Sequence, residues 1–422
     1  MNNRGPVNVD RISELPEALI IQILCLLPIK DAIATSVLSK QWQSHWKMLP
    51  KLKFDSIHHK IQLGDVCRSF LSHKAPVIQN FKLIVRLDGC NNAVDIGILI
   101  GLALNRNVRK LVLVVHFPKR FTFPTSLFRC ETLETLKLRI WVIMDVPSIV
   151  CLKALRTLHL HCEDFKDDES VFNLLSGCPN LQNLKVKRYP SSRVKTFTIS
   201  VPSLERLSIY DNHCGKQHYV IKAPSLKYLK IGGFNALESF LIENVPELVE
   251  AKIFHVSKII DKKLLGSLTS VKRLSLDLSA LKMKFPTGSI FNHLIYLELY
   301  TNKEAWWNLL TLMLGSTPKL QVLKLIDNKF WRTNLLAHDE WIRPKNVPEC
   351  LLLHLETFMW EGYEWEREDE SEVTKYILKN SNHLKRAIFS SSISICSEDR
   401  LVVVNDLKSV VKDTNSCHFQ FK

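Results

Sequence analysis

Glycine is scarce in this 422-residue chain, 13 in all, and no stretch reads G-x-G-x-x-G, as a Walker-type loop or as G-x-S-x-G. A backbone cradle for phosphates and a strained nucleophile turn both need glycines at fixed offsets, so those chemistries are not expected. H-E-x-x-H is missing too. The 11 cysteines (Cys25, Cys67, Cys90, Cys130, Cys151, Cys162, Cys178, Cys214, Cys350, Cys396 and Cys417) have no close pair, the nearest being Cys151 and Cys162. Zinc sites use short paired spacings such as C-x2-C, and an odd, scattered set fits reduced, mostly buried thiols of the cytosol or nucleus. His58 with His59 and His159 with His161 are the only close histidine pairs, and neither has acidic or thiolate ligands at matching spacing. No metal, cofactor or catalytic residue is therefore expected.

Long apolar runs are also missing. The longest, Ile96 to Leu104, is far below the roughly 18 to 20 residues that cross a bilayer, so no membrane partner is expected. The opening MNNRGPVNVD has no apolar core like that of a signal peptide. These absences predict a soluble intracellular protein of the cytoplasm, the nucleus or both. Negative charge is the third deficit: 42 Asp plus Glu stand against 57 Lys plus Arg, a net of +15. A hydrophobic content of 46% is enough to fold, and the length has room for two or three domains of about 150 residues. The charge favours an acidic partner, whether nucleic acid, anionic lipid or protein.

What the chain has in abundance is one repeated pattern: apolar, two variable residues, apolar, one variable, apolar. Copies begin at Val108, Leu133, Leu155, Leu181, Leu204, Leu226, Leu248, Val271, Leu294 and Leu320, spaced 22 to 26 residues apart, with looser copies at Leu355 and Leu384. Many follow a small residue or Cys and a Pro, as in CPNLQNLKV, VPSLERLSI and APSLKYLKI. Proline fixes its own φ and cannot donate to a ladder, so it suits the turn that leads into a strand. The last two apolar residues of a copy are two apart and point to the same, inner side of that strand. Such a unit cannot bury its apolar face alone, but stacked copies form a continuous core under a parallel sheet. The pattern resembles an irregular leucine-rich repeat, expected over residues 78–336. Between copies, ESVFNLLSGCPNL and EAWWNLLTLMLGSTPKL read as outer helices whose Val171, Leu174, Leu175, Trp306, Leu309, Leu310 and Met313 belong to the core.

Ahead of the repeats, DRISELPEALIIQILCLLPIKDAIATSVLSKQWQSHW predicts two or three short helices. Ser13 caps the first, with Pro16 in its first turn. Leu19, Ile20, Ile23, Leu24 and Leu27 recur at helical spacing until Pro28 stops it. Asp31 caps the next, whose apolar face carries Ile33, Val37, Leu38 and Trp42. So small a module cannot hide all these side chains, so they meet either a partner or the end of the repeat stack. The segment resembles a plant F-box in D-R-I-S-x-L-P, I-L-x-x-L-P and K-D-A-x-x-T-S-V-L-S-K-x-W, expected over 8–54. That resemblance implies docking on a Skp-family adaptor and, through it, on cullin and RING subunits. It further implies that Leu15, Pro16, Leu19, Ile23, Leu24, Leu27, Leu38 and Trp42 meet the adaptor or support that face. Gln41 and Gln43 stand where the family more often has Arg, and Ile29 where it often has Thr.

Past the repeats, Trp341, Pro344, Val347, Pro348, Cys350, His354, Leu355, Phe358, Trp360, Tyr376, Ile377, Leu378, Asn380, Leu384 and Lys385 resemble the FBD domain, expected over 339–422. The segment reads as two last strand units with a helix between them, closing the stack as a terminal cap does. The fold class is thus α/β: a helical F-box, a leucine-rich-repeat solenoid with a parallel concave sheet and convex helices or turns, and an FBD cap. Asp339 to Glu372 carries 11 acidic and 3 basic residues, a net of −8, which leaves +23 on the rest.

Variable residues beside the inner apolar pair face away from the core. They comprise Lys137, Arg139, His159, His161, Lys185, Lys187, Arg206, Tyr210, Tyr228, Lys230, Lys252, Phe254, Arg273, Tyr296, Tyr300 and Lys324. They make either a solubilising sheet surface or a recruitment surface for an acidic or phosphorylated protein. Together these features predict a non-catalytic substrate receptor of an SCF-type ubiquitin ligase. The alternatives are an F-box scaffold acting outside ubiquitination and a basic nucleic-acid-binding repeat protein. The last is disfavoured because no recognition helix or RNP-like aromatic setting is visible. The strand pattern marks no pocket for a small ligand.

Overall fold

In the computed structural model, every apolar position of the twelve repeat copies is buried, from Val108, Leu111 and Leu113 to Leu384, Ala387 and Phe389. The structure describes residues 14–39, 42–59, 62–86, 92–116, 122–162, 164–188, 193–211, 217–233, 237–243, 245–254, 262–278, 288, 290–301, 306–327, 341, 343–364, 367–391, 397–411 and 417–421. Ser13, Gln41, Cys90, Cys214 and Cys396 lie outside them. The chain divides into two compact units, Met1–Val194 and Lys195–Lys422.

The first unit opens with α1 (Glu17–Leu24), α2 (Ile29–Ala34), a 3-10 turn (Thr35–Val37) and α3 (Trp42–His45). Two expectations need correction. Pro16 and Pro28 are the residues that precede α1 and α2, so Pro16 is not inside the first turn, and Asp31 lies within α2 instead of capping it. Both prolines are extended, a conformation that their fixed φ allows and that delivers the chain into the helix. Next come β1 (Lys51–Asp55), α4 (Ser56–His59), α5 (Leu63–Ser72), β2 (Asn80–Arg86), α6 (Asn92–Leu104), β3 (Lys110–His116) and β4 (Thr135–Ile140). The unit ends with β5 (Ile143–Met144), β6 (Thr157–Cys162), β7 (Asp164–Phe165), α7 (Asp168–Ser176) and β8 (Asn183–Arg188). Strands β1, β2, β3, β4, β6 and β8 form a parallel sheet in that order, while β5 and β7 pair to one side. The first two strands extend the repeat toward the amino terminus. Leu49, Leu52 and Phe54, then Ile78, Phe81 and Leu83, are two further copies with every apolar position buried.

The second unit holds β9 (Thr196–Ser200), β10 (Arg206–Asp211), β11 (Gln217–Lys222), β12 (Tyr228–Gly232), β13 (Leu237–Glu243) and β14 (Glu250–Phe254). After these come α8 (Lys262–Gly266), β15 (Arg273–Asp277), β16 (Tyr296–Tyr300), α9 (Trp306–Ser316) and β17 (Val322–Ile326). Last are α10 (Glu349–Leu353), β18 (Thr357–Glu361), α11 (Glu368–Asn380), β19 (Arg386–Ser390), α12 (Ser397–Ser409) and β20 (His418–Phe421). Its main sheet is parallel, from β10 through β12, β14, β15, β16, β17, β18 and β19 to β20.

The proline turns are the joints of each repeat. The N–H groups of Leu181, Leu204, Leu226 and Leu248 donate to the carbonyls of Cys178, Val201, Ala223 and Val245 at 3.0 to 3.2 Å. Each bond closes a four-residue turn with Pro at its second position, where a fixed φ near −65° is already correct. One carbonyl then stitches each copy to the next: Arg156 O accepts from Gln182 and Asn183, and Glu205 O from Lys227 and Tyr228, all at 2.9 to 3.1 Å. The predicted outer helices are present as α7 and α9, with their named apolar residues buried. Asp167 caps α7 by accepting from the Ser170 N–H at 2.7 Å.

Elsewhere the expected convex helices or turns give way to strands. Between the inner strands, β9, β11 and β13 form a second parallel sheet. Its core is an in-register stack of Phe197, Tyr219 and Phe240, with centroids 5.5 Å apart at both steps. The Tyr219 hydroxyl donates to buried Asp211. The FBD-like end has the two strand units and the intervening helix that were expected, as β18, α11 and β19. Beyond them β20 adds a further strand with α12 before it. No helix among the described residues is long and apolar enough to cross a membrane.

Candidate functional site

Helix α1 divides its apolar residues between two faces. Ile20 and Leu24 are buried, whereas Leu19 and Ile23 are about half exposed, and Leu26 and Leu27 follow in the turn. Leu26 and Val37 are each 85% exposed and Leu38 is 67% exposed. Six large apolar side chains standing in solvent within 20 residues of sequence are more than a free surface needs to carry. Of the residues expected to meet an adaptor, Leu19, Ile23, Leu27, Leu38 and Pro16 are exposed and Leu15 is half-buried. Leu24 and Trp42 are buried. Leu24 lies one turn after Ile20 on the inner face, and Trp42 packs edge-on against His45 at 5.9 Å. Leu26 escapes helical-period reasoning because α1 ends at Leu24. The signal for it is the run Ile23-Leu24-Cys25-Leu26-Leu27, too apolar for one stripe.

The second surface is the outward face of the sheets. In the first unit the register places Lys137, His159 and Lys185 in one row across β4, β6 and β8, and Arg139, His161 and Lys187 in the next. Neighbouring strands are about 4.8 Å apart and the rows about 6.6 Å apart, so six basic side chains share one small lattice. They rim an open cleft of about 410 Å³ with Val112, Val114, Leu138 and Leu160 in its lining. Burial, followed by the charges of Lys137 and Lys185, pushes His159 down to about 4. Burial, followed by Lys187, Arg139 and Lys185, does the same to His161. Burial, then Lys110 and Lys185, lowers Lys137 from its ordinary value.

These histidines predict a pH effect. A folded value below the ordinary 6.5 means that the unfolded chain takes up protons first, so their contribution to stability is lost as pH falls from about 6.5 to 4. Buried Glu370 acts in the opposite sense. Burial raises it to about 7, against the lowering effect of the Glu364 N–H and Arg367. The informative measurement is therefore the urea midpoint of wild type minus that of His159→Asn with His161→Asn. That difference should become more negative as pH falls through this window.

The outward face of the second unit is built differently, because its cations have partners. Arg206 lies over the Tyr228 ring at 4.2 Å, Lys230 over Phe254 at 4.7 Å and Arg273 over Tyr296 at 3.9 Å. Lys252 pairs with Glu250 at 3.2 Å, and Lys324 with Glu361 at 2.8 Å. Tyr210 stacks on Phe254 at 6.0 Å, and Tyr300 is half-buried on the same outward side. Gly232 lies between Tyr210 and Phe254 in register, and a Cβ there would come within 2.4 Å of the Phe254 ring. All sixteen residues expected on the outward face are found there, as a cationic cleft in one unit and a neutralised aromatic face in the other. Among the described residues no group of three metal-ligating side chains occurs. Burial pushes the Cys178 and Cys350 thiols up to about 12 and 11, far from nucleophilic.

Residues 12–54 match the F-box domain family, 98–248 match "FBD-associated F-box protein At5g56370, LRR repeats", and 343–389 match FBD. The chain is 64% identical over 428 residues to "Putative FBD-associated F-box protein At1g55030" of Arabidopsis thaliana, with 100% of each covered. It is 58% identical over 427 residues to "Putative F-box/FBD/LRR-repeat protein At4g13965", covering 99% of this chain and 98% of the relative. With "F-box/FBD/LRR-repeat protein At3g52680" it shares 50% over 431 residues, covering 98% and 93%. Both are also from Arabidopsis thaliana.

Proposed function

This chain belongs to the F-box/FBD/LRR-repeat family of plant proteins, and on that premise we propose that it is the substrate-recognition subunit of an SCF-type ubiquitin ligase, acting in the cytoplasm, the nucleus or both. The observation that carries the proposal is the set of exposed apolar side chains on the F-box, Leu19, Ile23, Leu26, Leu27, Val37 and Leu38. A Skp-family adaptor would cover them and link the chain to cullin and RING subunits, while the outward faces of the sheets hold a target protein. Catalysis in this scheme is proximity: the scaffold raises the effective concentration of target lysines near a charged conjugating enzyme. No reactive side chain of this chain is needed.

The test is isolation of the full chain from plant cells. Co-purification of a Skp adaptor together with a cullin is the expected result. Adaptor without cullin would favour a scaffold acting outside ubiquitination, a reading motivated by Gln41 and by Gln43, the latter exposed on α3. Recovery of neither would overturn both.

A further inference from the structure

We propose that the cleft on the outward face of β4, β6 and β8 is a phosphate-binding site, taking a ligand that carries clustered phosphoryl groups. As an account of how a target is held, this rests on the receptor reading above. As chemistry, it stands on the cleft alone.

The strands that build the cleft, KLVLVVH, TLKLRI, TLHLHC and NLKVKR, contain no acidic residue. Among the described residues, no carboxylate pairs with Lys137, Arg139 or Lys185. The cations of the other unit's sheet are already met by rings and by Glu250, Glu298 and Glu361. The cleft therefore gathers Lys137, Arg139 and Lys185, with Lys187 beside them, above a floor that includes Val112, Val114, Leu138 and Leu160. Burial, and after it the charges of these cations, depresses the titration of His159 and His161 and leaves both rings neutral at physiological pH. A neutral imidazole still carries an N–H, so His159 presents a donor between Lys137 and Lys185.

One carboxylate would neutralise a single charge. A phosphoryl group brings about −1.5 to −2 and three acceptor oxygens, so two adjacent groups answer a cluster of cations that one carboxylate cannot. Arg139 adds the planar fork suited to phosphate oxygens. A phosphodiester chain fits less well, because its single charges are spread along the strand.

Calorimetric titration of the full chain decides the matter, with four probes: sodium pyrophosphate, a peptide carrying two adjacent phosphoserines, the same peptide unphosphorylated, and a single-stranded oligonucleotide. Wild type should bind pyrophosphate, and Lys137→Ser with Lys185→Ser should weaken it by about tenfold or more, as expected for removing charge-assisted hydrogen bonds. Lys319→Ser, at an exposed turn position of the other unit, should change nothing. Phosphopeptide binding as tight as pyrophosphate identifies a phosphorylated protein as the source; much weaker binding identifies a free polyphosphate. Equal pyrophosphate affinity in wild type and double variant would overturn the site. So would equal binding of the unphosphorylated peptide, or tighter binding of an oligonucleotide than of either phosphate probe.

Should the double variant not fold, the wild type still answers. Pyrophosphate should raise the titration of His159 and His161, which face Lys137, Arg139, Lys185 and Lys187, as followed by proton NMR; unmoved histidines would overturn the proposal. The cleft variants should keep adaptor binding, so loss of phosphate affinity and failure of the receptor reading remain distinguishable.

Discussion

Replacing Leu26 and Leu38 together with Asp should abolish co-purification with a Skp adaptor while leaving thermal unfolding of the chain unchanged. Leu26 is 85% and Leu38 67% exposed, so neither contributes much to the free fold, and surface changes of this kind stay within about 0.5 kcal/mol. In a docked complex the same positions would be covered, and an Asp facing an apolar surface adds the cost of stripping water from a charge. Central interface residues lose roughly 2 to 4 kcal/mol on truncation, which is about 30-fold to 1,000-fold in affinity. A buried charge should cost at least that. Leu24→Ala makes the contrast. Leu24 is 1% exposed, and its truncation should cost about 2 to 5 kcal/mol of fold stability. It would lose adaptor binding by loosening α1 and so says nothing about contact. Leu15→Ala with Pro16→Ala is less clean than the Asp pair, because Pro16 also sets the start of α1. Adaptor capture that survives Leu26→Asp with Leu38→Asp would remove the F-box face as the docking surface.

The repeat was legible because its physics is local. Three apolar residues at fixed offsets after a turn specify one inward-facing strand, and all twelve copies obey it. Two more escaped because Phe54 and Phe81 stand where the pattern more often has Leu or Ile, and because lysines crowd the first of them. The second sheet escaped for another reason. TFTIS, QHYVIK and LESFLIE alternate as strands do, but they lie in the return segments, where the repeat fixes no conformation. Their partners are one another, at separations of about 20 residues. The outward rows were legible from the period of two. Their electrostatics were not, since Glu250, Glu298 and Glu361 share the outward side with the lysines they neutralise. Which cations are met by rings depends on register across strands, and that follows only once every copy is known to start at the same offset.

Arg188 shows how far that period reaches. It follows Lys185 and Lys187 on β8, but as an even-numbered neighbour of Leu184 and Val186 it points inward, and both it and Asp164 are fully buried. Its Nε and Nη2 donate to Asp164 Oδ1 at 3.1 and 2.6 Å, and the Arg193 N–H reaches Oδ2 at 3.2 Å. Two opposed terms decide what the pair is worth. Bringing both ions out of water costs several kcal/mol each, and the attraction at this distance largely offsets it, so the intact pair adds little net stability. Removing one partner does not share that balance. Asp164→Ala removes the buried carboxylate that meets the Arg188 guanidinium and should cost about 3 to 5 kcal/mol. In a unit of this size that is a fall of roughly 10 °C in melting temperature. Arg188→Met alone strands the carboxylate and should cost a similar amount. The double variant, Asp164→Val with Arg188→Met, strands neither and fills the site with apolar volume. It should return to within about 1 to 2 kcal/mol of wild type or exceed it. The Arg193 N–H that loses its acceptor belongs to an exposed residue, where water can replace it. Chemical unfolding of the four proteins gives the coupling energy directly. Additive losses in the double variant would mean that Arg188 and Asp164 are stabilised separately by their other neighbours and not by each other.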